Sequence, residues 1–165
     1  MDTQIKEEVK IRKAAEADSK DISSLIIATL QQSNSSDYCE DEIARLCAAH
    51  SCSDITDMIA TKELLVAEKN ERIAGCIALV FAEQEPGTAL VTTVFVHPGF
   101  QGQGIGKLLM SFAEEVTRGR NIRTLKLYSS ITAHSFYIKL GYKDISGSIP
   151  ALTDDDIFAM SKSIV

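Results

Sequence analysis

The sequence predicts a layered domain of mixed α/β (α+β) class, a central sheet flanked by about four helices. Three observations carry this. Helical periodicity dominates the chain up to about Leu64 and then gives way to consecutive strand-like runs. A strongly amphipathic helical stretch follows those runs, from Ile105 onward. A further strand, a short helix and two closing strands complete the order.

Val9 to Lys13 reads as a short first strand. Asp18 is the expected cap of the first helix, since a carboxylate accepts from the free N–H groups of a first turn. Ile22, Leu25, Ile26, Thr29 and Leu30 then recur at helical spacing. Gln31 to Asp37 is a polar loop, and a second helix puts Ile43, Leu46, Cys47 and His50 on one face. Leu64–Glu68, Ile73–Phe81 and Ala89–Val96 form three strands in a row, an antiparallel meander. Their turns are Lys69–Glu71 and Glu83–Thr88, the latter holding Pro86-Gly87. Pro98 stops the third strand because it cannot donate to a ladder. The next helix aligns Ile105, Leu108, Leu109, Phe112 and Val116 and ends near Gly119. Thr124–Tyr128 is a strand, and Ala133–Leu140 is a helix stopped by Gly141. The last strands fall near Lys143–Ile149 and Ile157–Ile164, joined by a loop carrying Asp154, Asp155 and Asp156.

The 165 residues suit one domain, 1–165, and no repeat or linker divides them. With 45% hydrophobic and 24% charged residues, the composition excludes disorder. The longest apolar run, Ile73 to Ala82, is far short of the ~20 residues of a membrane helix. The start, Met-Asp-Thr-Gln-Ile-Lys-Glu-Glu, is too charged for a secretory signal. A cytoplasmic chain with free thiols is therefore expected. Lys and Arg number 17 against 23 Asp and Glu, a formal charge of −6 that repels phosphate backbones, so no nucleic-acid partner is expected. Cys39, Cys47, Cys52 and Cys76, with His50 among them, fit no zinc spacing. They read as small hydrophobes, Cys76 in the core, and no metal is expected.

The sharpest local signal is Gln101-Gly102-Gln103-Gly104-Ile105-Gly106-Lys107, between a strand and the amphipathic helix. Backbone N–H groups at a helix start are free and carry the positive end of the helix dipole. Glycines let an anion approach that backbone without Cβ clashes, so the segment can cradle phosphate. A P-loop does not fit: Leu108 stands where a hydroxyl would hold magnesium. A Rossmann fingerprint does not fit either, because these glycines alternate and follow a meander.

The segment Val96-His97-Pro98-Gly99-Phe100-Gln101-Gly102-Gln103-Gly104-Ile105-Gly106 resembles the acetyl-CoA motif of the GNAT superfamily of N-acetyltransferases, Arg/Gln-x-x-Gly-x-Gly/Ala after a strand ending in Val-x-Pro. A second stretch, Ser130-x-x-Ala133-x-x-Phe136-Tyr137-x-Lys139-Leu140-Gly141-Tyr142, is similar to another signature of that family. Ile11-Arg12-Lys13-Ala14 and Phe158-Ala159-Met160-Ser161-Lys162 match its first and last strands, so the resemblance spans nearly the whole chain. It implies a GNAT-like, mostly antiparallel sheet of about six to seven strands.

The resemblance also implies acetyl-CoA as co-substrate and an amine-bearing acceptor. The backbone of Val94, Phe95 and Val96 would pair with the pantetheine arm, as an open strand edge can. Gly102, Gln103, Gly104, Ile105, Gly106 and Lys107 would hold the pyrophosphate, with Gln101 in the Arg/Gln position and Ser130 beside the arm. Tyr137 falls where the family places the acid for the departing thiolate. Acceptor choice would come from Gln31–Asp37 and Ser148–Asp156.

Two departures stand out. Ser130 replaces the more usual Asn, and Thr92-Thr93 replaces a Glu general base. Glu68, Glu83, His97 and His134 are the alternative bases, His134 three positions from Tyr137 on one helix. The sequence thus leaves two functions open: an N-acetyltransferase, or an acyl-CoA-binding regulator or sensor without catalysis. A homodimer is compatible with either.

Overall fold

The structure, a computed structural model, describes residues 8–145 and 157–165. Its described strands form one seven-stranded sheet in the order β1-β2-β3-β4-β5-β7-β6. β1 (Lys10–Lys13), β2 (Glu63–Lys69), β3 (Arg72–Phe81) and β4 (Thr88–Val96) are the expected antiparallel meander plus the first strand. β4 then pairs in parallel with β5 (Thr124–Ser130), which pairs antiparallel with β7 (Ile157–Ser163). β6 (Lys143–Asp144) closes the far edge. The rest of the strand expected over Lys143–Ile149, and the Asp154–Asp156 loop, lie outside the described residues.

Both faces of the central strands are covered, which explains their near-continuous apolar runs. On β2, Leu64 and Val66 face one layer while Leu65 and Ala67 face the other. The first layer is α1 (Ser19–Gln32), which buries Ile22, Leu25, Ile26 and Leu30 against Cys76 and Ala78 of β3. The second is α4 (Ile105–Arg118) with α5 (Ile131–Lys139), which bury Leu109, Met110, Ala113 and Tyr137 against Ile77, Leu79, Val91 and Leu127. Each such Leu or Ile contributes roughly 1.5–3 kcal/mol over leaving it exposed. Cys76 lies in the core as expected, and burial pushes its thiol up to about 12.

The structure differs from the sequence reading in two places. The single helix expected after the polar loop is two helices, α2 (Glu40–Ala48) and α3 (Cys52–Thr61), so the described helices number five. Ser51 starts α3: its hydroxyl accepts from the Asp54 N–H, and the Asp54 carboxylate accepts from the Ser51 N–H at 3.0 Å. This reciprocal cap stops α2 short of His50, whose Nδ1 lies 2.6 Å from the Leu46 carbonyl. Asp18 does precede α1 but does not cap it. Its carboxylate accepts from the Ala15 N–H at 2.7 Å and from two N–H groups of Arg12, at 2.7 and 3.1 Å. The Arg12 guanidinium holds the carboxylate with two N–H groups and a full opposite charge, where a backbone N–H offers one donor and a partial charge.

Candidate active site

β4 and β5 pair only from Thr88↔Thr124 to Val91↔Leu127. Beyond that point β4 stays with β3 out to Gly75↔Val96, and β5 stays with β7 out to Ser130↔Ile157. The sheet therefore forks. The fork is helped by a bulge: Cys76 pairs with Phe95 but Ala78 with Thr92, so Thr93 and Val94 together oppose Ile77. Thr93 takes a positive φ of 55°. That is strained for a β-branched residue, at a cost of order 1–3 kcal/mol. The Cys76 thiol on the Thr93 carbonyl and the Thr93 hydroxyl on the Met58 sulfur hold it there.

The fork opens a cleft of about 950 Å³. Thr92–Val96 form one wall, and Tyr128–Ser130 with the α5 residues Thr132, Ala133, Phe136 and Tyr137 form the other. The glycine loop sits at its mouth. Gly102 and Gly104 adopt positive φ values of 78° and 81°, and a Cβ on either would meet no protein atom within 4 Å. They are needed for the turn, and they leave open space above the backbone. No side chain caps α4, whose N-cap is Gly104, and its first turn holds no acidic residue. Its free N–H groups thus face the cleft unneutralised, with Lys107 on the same turn.

The other expected site residues fall as follows. Gln101 Nε2 donates to Ser33 Oγ at 2.9 Å and to the Val96 carbonyl at 3.0 Å. Its side chain ties the loop to α1 and to the free strand, and the residue lines the cleft. Gln103 Oε1 accepts from Lys69 Nζ at 2.6 Å. Val94, Phe95 and Val96 line the wall, and Ile105 and Gly106 line the mouth. Ser130 lines the cleft but is also the N-cap of α5, accepting from the Ala133 N–H at 3.3 Å. The Tyr137 ring is 6% exposed, packed edge-on against Phe136 and Tyr142. Burial pushes its hydroxyl up to about 12.

None of the four alternative bases lines this cleft. Glu68 accepts from Arg12 Nε at 3.0 Å on the outer strands. Glu83 is in an exposed turn. His97 Nδ1 accepts from the Gly99 N–H at 3.0 Å, capping a short 3-10 turn. His134 turns away from Tyr137, packs on Phe158 and lies 2.7 Å from Asp144. Thr92 and Thr93 do line the cleft, as hydroxyls that cannot take a proton at neutral pH.

One lining residue was not singled out by sequence. Asp37, from the loop after α1, is the only carboxylate lining the cleft among the described residues. Its Oδ1 accepts from the Thr132 hydroxyl on α5, so the loop bonds directly to the α5 wall. Its Oδ2 is buried and has no hydrogen-bond partner among the described residues. The family resemblance marked its loop, Gln31–Asp37, for acceptor choice, but nothing in the local sequence singles out this residue.

Among the described residues no three His, Cys, Asp or Glu side chains gather as a metal site, and all four cysteines are free. No helix of the described residues is long and apolar enough to cross a membrane.

A family model for the acetyltransferase (GNAT) domain matches residues 60–144. The uncharacterized N-acetyltransferase ycf52 of Porphyra purpurea is 34% identical over 82 residues, 48% of this chain and 47% of that protein. That of Pyropia yezoensis is 38% identical over 60 residues, 36% of this chain and 34% of that protein. The chain thus spans about half or less of the length of these curated relatives. Among solved structures, the PaiA N-acetyltransferase of Thermoplasma acidophilum, crystallised with coenzyme A, superposes with a TM-score of 0.81 at 22% identity, covering 94% of this chain and 99% of that one. A GCN5-related N-acetyltransferase structure from Rhodopseudomonas palustris gives a TM-score of 0.78 at 20% identity, covering 93% and 94%. At these identities the likeness is one of fold.

Proposed function

The chain belongs to the acetyltransferase (GNAT) family, and from that premise we propose that it transfers the acetyl group of acetyl-CoA directly to a primary amine. The observation that carries the proposal is the fork between β4 and β5 with an uncapped helix start and two left-handed glycines at its mouth. A pyrophosphate fits that mouth: the space above Gly102 and Gly104 is open, and Lys107 lines the cleft on the adjoining helical turn. The splayed backbone of 94–96 suits an amide-bearing arm, although the Val96 carbonyl already accepts from Gln101. Gln101 acts by fixing the loop, and Ser130 by ordering the start of α5. All described strands share one sheet, which supports reading 1–165 as a single domain.

Acetyl-CoA supplies an activated acyl carbon and a thiolate leaving group. The chain's residues do the rest. A backbone N–H of the splayed β4 stabilises the oxyanion. The Tyr137 phenol, held neutral by burial, donates toward the sulfur as charge develops there. No Glu or His lines the cleft among the described residues, and the one carboxylate there, Asp37, is engaged with Thr132, so the amine arrives neutral or loses its proton through water. That same observation favours the second reading, an acyl-CoA-binding regulator that turns over nothing.

Calorimetric titration with acetyl-CoA tests the proposal on the wild type and on Gly104→Ala. Micromolar wild-type binding, weakened tenfold or more in the variant, is expected. A folded wild type that binds no acetyl-CoA overturns it.

A further inference from the structure

We propose, resting on the acetyltransferase reading, that Val91 and Leu127 are specificity-determining residues that set the length of acyl chain the cleft accepts. Acetyl-CoA is taken, and longer acyl-CoA thioesters are refused. Val91↔Leu127 is the last rung of the parallel ladder between β4 and β5, the point at which the fork begins. Both residues line the cleft, yet they are only 3% and 2% exposed. They are therefore its floor, and the space behind them is filled. The next rung on the same face, Ala89↔Leu125, and the cross-strand neighbours Leu79 and Met160 are buried in one cluster with them. A core packed in this way leaves no void into which a chain could extend.

The reach of the cofactor brings the acyl group to this floor. Between phosphate and sulfur the pantetheine arm has about a dozen bonds, as many as about four residues of backbone, and extended it spans about 14 Å. The phosphate end belongs at the mouth, where β4 ends at Val96. About four residues inward along the strand lies Thr92, so the sulfur falls beside it and the acyl carbon at the next position, Val91. The face is fixed as well. Side chains alternate along β4: Thr92 pairs with Ala78 of the α1 layer, whereas Val91 and Leu127 share a cluster with Tyr137. A thioester whose sulfur meets the Tyr137 hydroxyl thus turns its methyl toward two branched apolar side chains. One methyl packs against them. Each further methylene has to displace close-packed core, and such a mismatch is worth about 10–200-fold in discrimination.

Calorimetric titration tests this without any acceptor. Wild type, Val91→Ala, Leu127→Val and Val91→Ile are titrated with CoA, acetyl-CoA and butyryl-CoA, and melting is measured for each. Every acyl-CoA affinity is read relative to CoA on the same variant, because CoA reaches the same depth without an acyl group. Wild type should bind acetyl-CoA at least tenfold more tightly than butyryl-CoA. Val91→Ala and Leu127→Val, which lower the floor, should bring that ratio to within threefold of one. Val91→Ile, which adds a methyl, should weaken acetyl-CoA relative to CoA at least threefold. A merely structural role would move all three ligands together and leave the ratios alone. A wild type that binds the two thioesters alike overturns the proposal whether or not the variants fold, and so does an unchanged ratio in a variant that melts cooperatively. A folded wild type that binds none of the three removes the acetyltransferase reading itself.

Discussion

A Cβ on Gly106 would stand 3.2 Å from Cζ of Phe136, so the first turn of α4 and the ring of α5 touch where only a hydrogen fits. This contact sets how closely the helix start at the cleft mouth approaches the helix that carries Tyr137. Gly106→Ala should push Phe136 by a few tenths of an ångström and, through the ring contact at 5.1 Å, disturb Tyr137. The expected outcome is a kcat reduced about tenfold with acetyl-CoA affinity reduced less, a split that steady-state kinetics and calorimetry resolve together.

Tyr137→Phe removes the donor and keeps the packing. A loss of 10²–10⁴ in kcat is expected, within the range for a positioned acid, with acetyl-CoA binding retained. The sign of the pH dependence follows from burial. With the phenol pushed up to about 12, it stays protonated through the neutral and mildly alkaline range. Wild-type kcat/KM should therefore rise with pH as the free amine is released, and show no fall before about pH 10. A fall near pH 8 would assign the acid role to another group.

Glu114 on α4 is 8% exposed and is held by Lys162 Nζ at 2.8 Å, the Tyr142 hydroxyl at 3.3 Å and Arg118 at 3.4 Å. Burial, and then the Glu114 charge, push the Tyr142 hydroxyl far above its ordinary value. Glu114→Ala strands a lysine and a buried phenol, so a stability loss of about 2–4 kcal/mol is expected in urea unfolding. Combining Glu114→Leu with Lys162→Met should recover part of it, because the two charges then leave together while the Tyr142 hydroxyl still loses its acceptor.

Much of this was legible in the chain. The periodicities of Ile22–Leu30 and Ile105–Val116 gave helices at those places, and the glycine run marked the mouth of the cleft. What escaped depends on which of several possible partners each side chain takes. Asp18 has the composition of a helix cap, but Arg12 six residues earlier takes its carboxylate. Ser51 and Asp54 were a readable cap, hidden by a stretch that also looked like cysteine chemistry. Asp37 gains its meaning from Thr132, 95 positions away, and no local pattern announces such a contact. The candidate bases failed for a related reason: residue type placed them on a list, and topology then put them on other surfaces.

The short ladder between β4 and β5 ties two leaves along one seam, from Thr88↔Thr124 to Val91↔Leu127. One leaf holds β1–β4 with α1–α3, the other β5–β7 with α5. Such a seam behaves as the spine of a book. Its length fixes how far the pages stand apart, and small rotations about it change the gap most at the open edge, where Asp37 and Thr132 form a clasp. A molecule drawn between the pages would supply the rungs that the seam lacks, and the two leaves would then move as one.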